Sequence, residues 1–325
     1  MIKIVYKFPN QYYKEPDPNY IRIFGNKFVK NNRNHCKYIF ENKEYDLNEF
    51  FDIKDIIGDR IEIYLIGFDR VSDLSQMFAY CSNFYSCNNL FITSYVVNMK
   101  EMFKKCTSLL VNNIENWDTS NVYDMSFMFY GCLETSLPNI SKWNTSNVED
   151  INSMFSYCVN LSFLPDISRW NTYKMKNMSF LFNECNNLKF LPDISKWDLS
   201  NVTDIKCMFY RCLKLSHLPE ISLWNLSSVN NIMHLFSCCT SLSTLPNISK
   251  WNISNVKNMD SLFYQCSNLI SLPDISNWNL SNTKTISNIF ESCRKLKTLP
   301  DISKWDISKI YNIDNAFANC SSLLY

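Results

Sequence analysis

Tryptophan occurs eight times in this chain of 325 residues, and the eight positions form a regular series. They are Trp117, Trp143, Trp170, Trp197, Trp224, Trp251, Trp278 and Trp305. Successive tryptophans recur at a nearly constant interval of about 27 residues, which is within the range of one coil of a solenoid repeat. This spacing predicts a tandem array in which each unit buries its apolar face only against its neighbours.

A column of cysteines repeats with the same period. Ten cysteines keep this interval to within two positions: Cys81, Cys106, Cys132, Cys158, Cys185, Cys212, Cys239, Cys266, Cys293 and Cys320. We therefore expect a solenoid of ten units, each of about 25–27 residues. It should cover residues 63–325 and follow a separate cap over residues 1–62. One cysteine at a fixed place in each unit favours a stacked core ladder of free thiols over a disulfide scaffold.

The residues after each tryptophan predict a short helix of two to three turns. Val202, Ile205, Met208, Phe209 and Cys212 lie at offsets 0, 3, 6, 7 and 10 from the first of them, which is the spacing of one helix face. The same stripe recurs in the other units.

A proline then ends the helical stretch, as at Pro165 and Pro300, because proline cannot continue a helix or a central strand. The stretch that follows, represented by Ile167, Trp170 and Thr172, is where we expect a short strand that stacks in parallel with its copies. The unit length suits one coil of a leucine-rich-repeat-like solenoid. The predicted fold class is thus an α/β repeat solenoid of short parallel strands and short helices, about ten coils long, with a small N-terminal β-rich cap.

Residues 1–62 lack the repeat and carry apolar runs at strand-like spacing. Residues 2–8 and 20–24 are two such runs, and residues 36–40 and 44–47 flank the turn ENKE and predict a β-hairpin. We expect a β-rich or α+β cap that covers the apolar end of the first coil. A separate recognition module is the alternative interpretation.

The segment LPDISKWDLSNVTDIKCMFYRCLKL, Leu191 to Leu215, resembles the BspA-like leucine-rich repeat surface proteins and the mycoplasma-type lipoprotein repeat. The similarity runs from Ile66 onward and depends on the pattern MF-x-x-C-x-x-L. It implies a scaffold that binds other proteins and that has no shared catalytic site. For the surface members of the family it also implies adhesion, which gives an exported adhesin for host matrix or glycoproteins as the alternative function.

Charge and residue counts argue against several other functions. Lys and Arg number 32 against 31 Asp and Glu, which leaves no excess positive charge for binding a nucleic-acid backbone. Four glycines cannot assemble a phosphate-binding loop, and none of the three histidines has metal-ligand spacing. We therefore expect no enzyme activity, no cofactor and no metal.

Location is predicted from the absence of two sequence patterns. The first residues lack the features of a signal peptide, and no run approaches the length of an apolar membrane span. The sequence therefore predicts a cytoplasmic protein that does not insert into membranes, with the cell surface, reached by another route, as the alternative.

Two repeating columns could be structural or functional. The tryptophans could form a stacking platform for bases or sugars, but their coupling to an isoleucine three residues earlier favours core packing. An acidic or amide residue follows each proline, as in Asp166, Asp193 and Asp301. A side chain that accepts a backbone hydrogen bond in a turn is the interpretation we favour over a calcium ladder, because the glycines of such ladders are missing.

The column before each tryptophan predicts a partner-binding surface. Five of its eight residues are basic: Lys142, Arg169, Lys196, Lys250 and Lys304. Stacked coils would align them into a basic stripe, and we expect this stripe to dock an acidic protein partner. A solvated face that keeps sheet edges from pairing is the alternative.

The other end of the array suggests self-association. The sequence given stops inside a unit, at Leu323, Leu324 and Tyr325. An open apolar coil here predicts end-to-end association between copies of the chain.

Overall fold

A computed structural model describes residues 1–8, 17–88, 94–111 and 113–324. The N-terminal part contains strands β1 (Ile2–Lys7), β2 (Tyr20–Arg22), β3 (Lys37–Phe40), β4 (Lys43–Asp46), β5 (Phe50–Asp52) and β6 (Arg60–Ile66), and the helix α1 (Asn26–Asn32). Strands β7 (Phe84–Asn88) and β8 (Leu110–Val111) lie in the first two repeat units, and single 3-10 turns cover Phe68–Arg70 and Ile114–Asn116.

One six-stranded sheet joins the N-terminal part to the array. Its strand order is β4-β3-β6-β1-β7-β8, and only the β7–β8 pair is parallel. Strands β2 and β5 form a separate antiparallel pair. The predicted border between residues 62 and 63 falls inside β6, so the sheet continues across it.

The predicted hairpin is confirmed. Strands β3 and β4 are antiparallel, with Lys37 opposite Asp46 and Phe40 opposite Lys43. The two residues between the strands, Glu41 and Asn42, have φ angles of 47° and 61°. Two positive φ angles in a two-residue loop are the mark of a type I′ turn, whose twist matches that of the strands it joins.

The short helix predicted in each unit is wrong. Among the described residues, the one α-helix is α1, and the stretch 202–212 is a series of tight turns. The predicted inward set is nevertheless correct, because Val202, Ile205, Met208, Phe209 and Cys212 are all fully buried. The backbone between them cannot be helical, since two residues of the stretch, at positions 207 and 211, have φ angles of 55° and 57°.

Hydrogen bonding between neighbouring units explains why turns replace the helix. Alternate amides of this stretch donate to the next unit at 2.9–3.2 Å; the bonds join Ile205, Cys207, Phe209 and Arg211 to the carbonyl oxygens of Asn231, Met233, Leu235 and Ser237. Most of the other amides close turns three residues back, as from Met208 to Ile205 at 3.2 Å. A helix would use all these groups internally and leave none to join the coils.

The parallel strand predicted around Ile167, Trp170 and Thr172 is also absent from the described residues of the array. Neighbouring units instead pair at single positions. Nine isolated parallel bridges join one residue per unit: Asp73, Asn98, Asp124, Asp150, Asn177, Asp204, Asn231, Asn258, Thr285 and Asn312. Along the predicted strand, side chains make the bonds between units, since Thr172 Oγ1 donates to the carbonyl of Asp198 at 2.9 Å.

Three ladders of identical side chains fill the core. Phenylalanine rings of successive units stack with centroids 5.5–5.9 Å apart from Phe78 to Phe317. The eight tryptophans are 2–7% exposed. Seven of them donate Nε1–H to an isoleucine carbonyl of the preceding unit at 2.8–3.4 Å. The tryptophans are therefore core residues, as predicted, and not an exposed stacking platform.

The cysteine column is a ladder of hydrogen-bonded thiols. Nine of its members, Cys106 to Cys320, donate Sγ–H to the phenylalanine carbonyl of the preceding unit at 3.0–3.2 Å. No disulfide joins any of the fourteen cysteines, all of which lie within the described residues. The predicted ladder is confirmed, and the thiol joins adjacent coils in addition to filling space.

We expect the buried thiols to make the protein less stable at alkaline pH. Burial raises the pKa of Cys158 from its ordinary value of 9.0 to about 12. Because the folded pKa exceeds the unfolded one, the thiol's contribution is fully present below about pH 9 and is lost as the pH rises towards about 12. The free energy of unfolding should fall across that window, and Ellman's reagent at pH 8 should titrate the ladder thiols only in denaturant. Rapid labelling of the ladder in the native protein would contradict this prediction.

The N-terminal part covers the first coil of the array. It makes the ring contacts and hydrogen bonds to that coil that a preceding coil makes elsewhere. Phe24 stacks on Phe78 with centroids 6.2 Å apart, and the amide of Gly25 donates to the carbonyl of Met77 at 3.2 Å. Asn32, at the end of α1, donates its side-chain amide to the carbonyl of Asp73 at 3.3 Å. The N-terminal part therefore both buries the apolar end of the array and satisfies its backbone acceptors.

Candidate functional site

The predicted basic stripe lies on the surface. Lys142, Arg169, Lys196, Lys250 and Lys304 are all exposed, and each follows a serine in the turn that precedes a buried tryptophan. Leu223, which is 77% exposed, and Asn277 occupy the same position in two intervening units. The stacking therefore brings the five residues onto one side of the array, while their binding of a partner stays a prediction.

Carboxylates of the neighbouring column border this stripe. Asp193 Oδ1 accepts the backbone N–H of Ser195 at 3.0 Å, and the same bond forms at Asp166, Asp274 and Asp301. Hydrogen bonding to Ser195 lowers the pKa of Asp193, with a smaller contribution from the charge of Lys196. The interpretation of these acids as turn caps is confirmed, and the surface around the stripe carries both signs of charge.

A second surface was not predicted from the sequence. Two residues in each unit, four positions apart, have left-handed backbone angles. On the face that they form, a cavity of about 430 Å³ opens in the middle of the array. Its lining, which we call the aromatic groove, consists of Phe127, Tyr130, Asn152, Ser153, Ser156, Tyr157, Phe180, Asn183, Cys207, Tyr210 and His234.

The groove has aromatic walls and a floor of small polar side chains. Phe127 and Phe180 occupy the same position in units that are separated by one unit, and the unit between them carries Ser153 there. Ser153 and Ser156 are buried, whereas both phenylalanines are half-buried. The alternation of large and small side chains along this column creates the depression.

Further rings extend each wall. Tyr130 lies 5.7 Å from Phe127 and 5.3 Å from Tyr157, measured between ring centroids. At the other wall Tyr210 meets the imidazole of His234 edge-on at 5.5 Å. Five aromatic side chains and one imidazole therefore surround the floor.

The floor amides are already engaged. Asn183 Nδ2 donates to Ser156 Oγ at 2.9 Å, and Asn152 Nδ2 donates to the carbonyl of Ser179 at 2.9 Å. These bonds run between adjacent units and hold the floor in place, so the polar groups under the rings are fixed by the stacking itself.

No residue in the lining of the groove is Asp, Glu, Lys or Arg. Burial lowers the pKa of His234, which favours the neutral imidazole, and burial raises the pKa of Cys207 to about 12. Cys207 is therefore a protonated thiol and not a nucleophile of the Cys–His type, which requires a thiolate. The groove presents an uncharged surface.

Lys104 and Arg211, two charged residues beside the groove, are paired. Lys104 Nζ lies 3.0 Å from Glu101 and 5.2 Å from the ring centroid of Phe127. Arg211 Nε lies 3.0 Å from Glu184 Oε1. These pairs leave the centre of the groove to its rings and its small polar groups.

The aromatic residues of the groove are not required by the fold. Phe127, Tyr157 and Phe180 have φ angles of 57°, 60° and 58°, a region that costs a residue other than glycine about 1–2 kcal/mol. The position of the two phenylalanines is filled by Ser153 and Ser261 with φ angles of 54° and 56°. In the sequence, the groove is therefore indicated by phenylalanine at a repeat position where other units have a small residue.

Two other kinds of feature, a metal centre and a membrane span, are absent from the described part of the chain. Over residues 1–8, 17–88, 94–111 and 113–324, no three His, Cys, Asp or Glu side chains are grouped so that they could hold a metal ion. In the same ranges, no helix has the length and apolar character needed to cross a bilayer.

Three crystal structures of leucine-rich repeat proteins are similar to the chain. The protein TpLRR of T. pallidum has a TM-score of 0.35 and 20% identity, over 67% of this chain and 85% of its own. A protein of Eubacterium ventriosum has a TM-score of 0.33 and 15% identity, over 80% and 87% of the two chains. A protein of Bacteroides ovatus has a TM-score of 0.34 and 16% identity, over 99% and 80%.

Sequence comparison identifies the family. A search of curated proteins finds no match to the chain. The model of the family described as "Mycoplasma protein of unknown function, DUF285" matches three overlapping stretches, residues 45–158, 131–243 and 215–324. This confirms the mycoplasma-type part of the resemblance, while its BspA-like part stays a prediction. The chain belongs to the DUF285 family of repeat proteins.

Proposed function

We propose that this protein is a non-enzymatic protein–protein interaction scaffold, a leucine-rich-repeat-like solenoid of about ten coils that presents an extended surface to a partner. The observation that carries the proposal is the aromatic groove. Three of its five rings, Phe127, Tyr157 and Phe180, occupy strained backbone positions that serine fills in other units, so core packing does not account for them. Aromatic side chains on a rigid surface are the usual anchors of protein interfaces.

The basic stripe is the second surface that this proposal includes. Lys142, Arg169, Lys196, Lys250 and Lys304 align on one side of the stacked coils, where they would meet an acidic partner. Their contribution should be mainly electrostatic steering, because exposed ion pairs contribute little to affinity.

Affinity capture with the full chain tests the scaffold. The wild-type protein is compared, in lysate of the source cell, with Phe180→Ser and with a variant that has all five stripe residues changed to glutamine. We expect wild-type protein to retain a partner that Phe180→Ser loses, and the stripe variant to lose it at a lower salt concentration than wild type does. Identical proteins retained by all three forms would overturn the proposal.

The cysteine ladder bears on where in the cell the protein is located. A ladder of free, protonated cysteines keeps its hydrogen bonds in a reducing compartment, so we propose a cytoplasmic location. The alternative, an exported adhesin, predicts that protease added to intact cells digests the protein before lysis. Protection until lysis is the result we expect.

A further inference from the structure

We infer that the aromatic groove binds a proline-rich segment of a protein partner, held in an extended polyproline II conformation. This inference rests on the proposed scaffold function and names the chemistry that one of its surfaces recognises. It follows from the charge, spacing and hydrogen-bonding capacity of the groove.

The charge of the groove selects an uncharged ligand. Its lining contains no ionised side chain. Lys104, Lys206 and Arg211, which lie beside it, each form an ion pair with a carboxylate at 3.0–3.4 Å. A charged ligand group would lose its hydration here without gaining a counter-ion. Prolines carry no charge, and their nitrogen has no N–H donor that binding could leave unpaired.

The spacing of the walls suits proline rings. Phe127 and Phe180 lie two units apart. In these units, the centroids of the stacked core phenylalanine rings are 5.9 and 5.8 Å apart from one unit to the next. The floor between them is serine, so a flat pyrrolidine ring can enter between the two phenylalanines. A polyproline II helix rises about 3.1 Å per residue, so two of its residues span about one coil.

Hydrogen-bonding groups complete the fit. A polyproline II segment has no internal hydrogen bonds, so its carbonyl groups all accept from outside. The hydroxyls of Tyr130, Tyr157 and Tyr210 stand at the walls of the groove and can donate to them. Grooves with aromatic walls recognise such segments in other proteins, and the preformed helix loses little entropy on binding.

The small number of free polar groups in the groove favours a peptide over a carbohydrate. A sugar presents several hydroxyls that each need a polar partner in the site. The floor amides of Asn152 and Asn183 already donate to Ser179 and Ser156, and no carboxylate or guanidinium lines the groove. The walls offer mostly ring surface, which matches proline better than a hydroxylated ring.

Binding of a fluorescein-labelled ten-residue polyproline peptide to the full chain tests the inference, with fluorescence anisotropy as the readout. We expect saturable binding that a Gly-Ser peptide of equal length does not show. Phe180→Ser should weaken the affinity at least tenfold while leaving the thermal unfolding midpoint close to that of wild type, because Ser153 and Ser261 already occupy this position.

The matched control is Phe163→Ser. Phe163 is 53% exposed, lies outside the groove, and has a serine, Ser271, at its position in a later unit. This variant removes the same amount of side chain and should bind the peptide as wild type does. Equal loss in both variants, or equal binding of the polyproline and Gly-Ser peptides, would overturn the inference.

Two further outcomes separate this inference from the scaffold proposal. If polyproline fails to bind but a captured partner is lost from Phe180→Ser, the scaffold stands and the proline-rich ligand is wrong. If maltohexaose binds and Phe180→Ser abolishes that binding, the groove is a carbohydrate site and the inference is overturned. Failure of both peptide binding and capture would remove both proposals.

Discussion

Replacing Trp197 with alanine is expected to lower the free energy of unfolding by about 3–5 kcal/mol, because it empties a large core position. The side chain is 2% exposed, and its Nε1–H donates to the carbonyl of Ile167 at 3.2 Å. The variant therefore loses packing and one bond that joins two units. Urea unfolding followed by far-ultraviolet circular dichroism measures the change.

The position of Trp197 in the middle of the array makes the shape of the transition informative. Stability in a solenoid is close to a sum of unit and interface terms, so a weakened interface uncouples the coils on either side. We expect the single transition of wild type to broaden or to split. Lys196→Ala, at the adjacent exposed position, is the control and should change stability by no more than about 0.5 kcal/mol. If Trp197→Ala unfolds at the same urea concentration as wild type, the tryptophan ladder does not hold the coils together.

Replacing Gly25 with alanine is expected to destabilise the N-terminal part by about 3 kcal/mol, the upper end for overpacking, because the added atom meets backbone. A Cβ at this position would lie 2.0 Å from the carbonyl oxygen of Gln76. The segment must then move away from the first coil, which breaks the bond from the Gly25 amide to the Met77 carbonyl. Exposure of the first coil should raise binding of the dye ANS and should speed proteolysis of residues 1–66.

Lys30→Ala is the control for this variant. Lys30 lies in α1 on the exposed side, and alanine keeps the helix. It should unfold and resist protease as wild type does. If Gly25→Ala also retains the wild-type protease pattern, then close contact between the N-terminal part and the first coil is not what stabilises that end.

The inward-facing residues could be predicted from the sequence, but the backbone that carries them could not. Val202, Ile205, Met208, Phe209 and Cys212 are buried as expected. Their spacing fits one face of a helix, but it predicts only which side chains are buried and not the conformation of the backbone. Whether each amide donates within its own unit or to the next unit depends on the stacked neighbour, and the neighbour favours turns.

The aromatic groove shows the same division. The sequence places Phe127 and Phe180 at one position of units that are two periods apart, with Ser153 between them. It does not bring Tyr130 and Tyr210 to the same opening. Only stacking in register, at the ring spacings of 5.8 and 5.9 Å, makes these residues the walls of one cavity.

The sequence by itself determined the repeat, its period, the buried tryptophan and cysteine columns, the capped turns and the exposed basic stripe, because each depends on residue type at a fixed place in the unit. The tertiary structure decided the path of the backbone, the sheet that crosses from β6 into the array, and the groove. These depend on which groups face one another across adjacent coils, since hydrogen bonds and ring contacts between coils satisfy what one unit alone leaves unpaired.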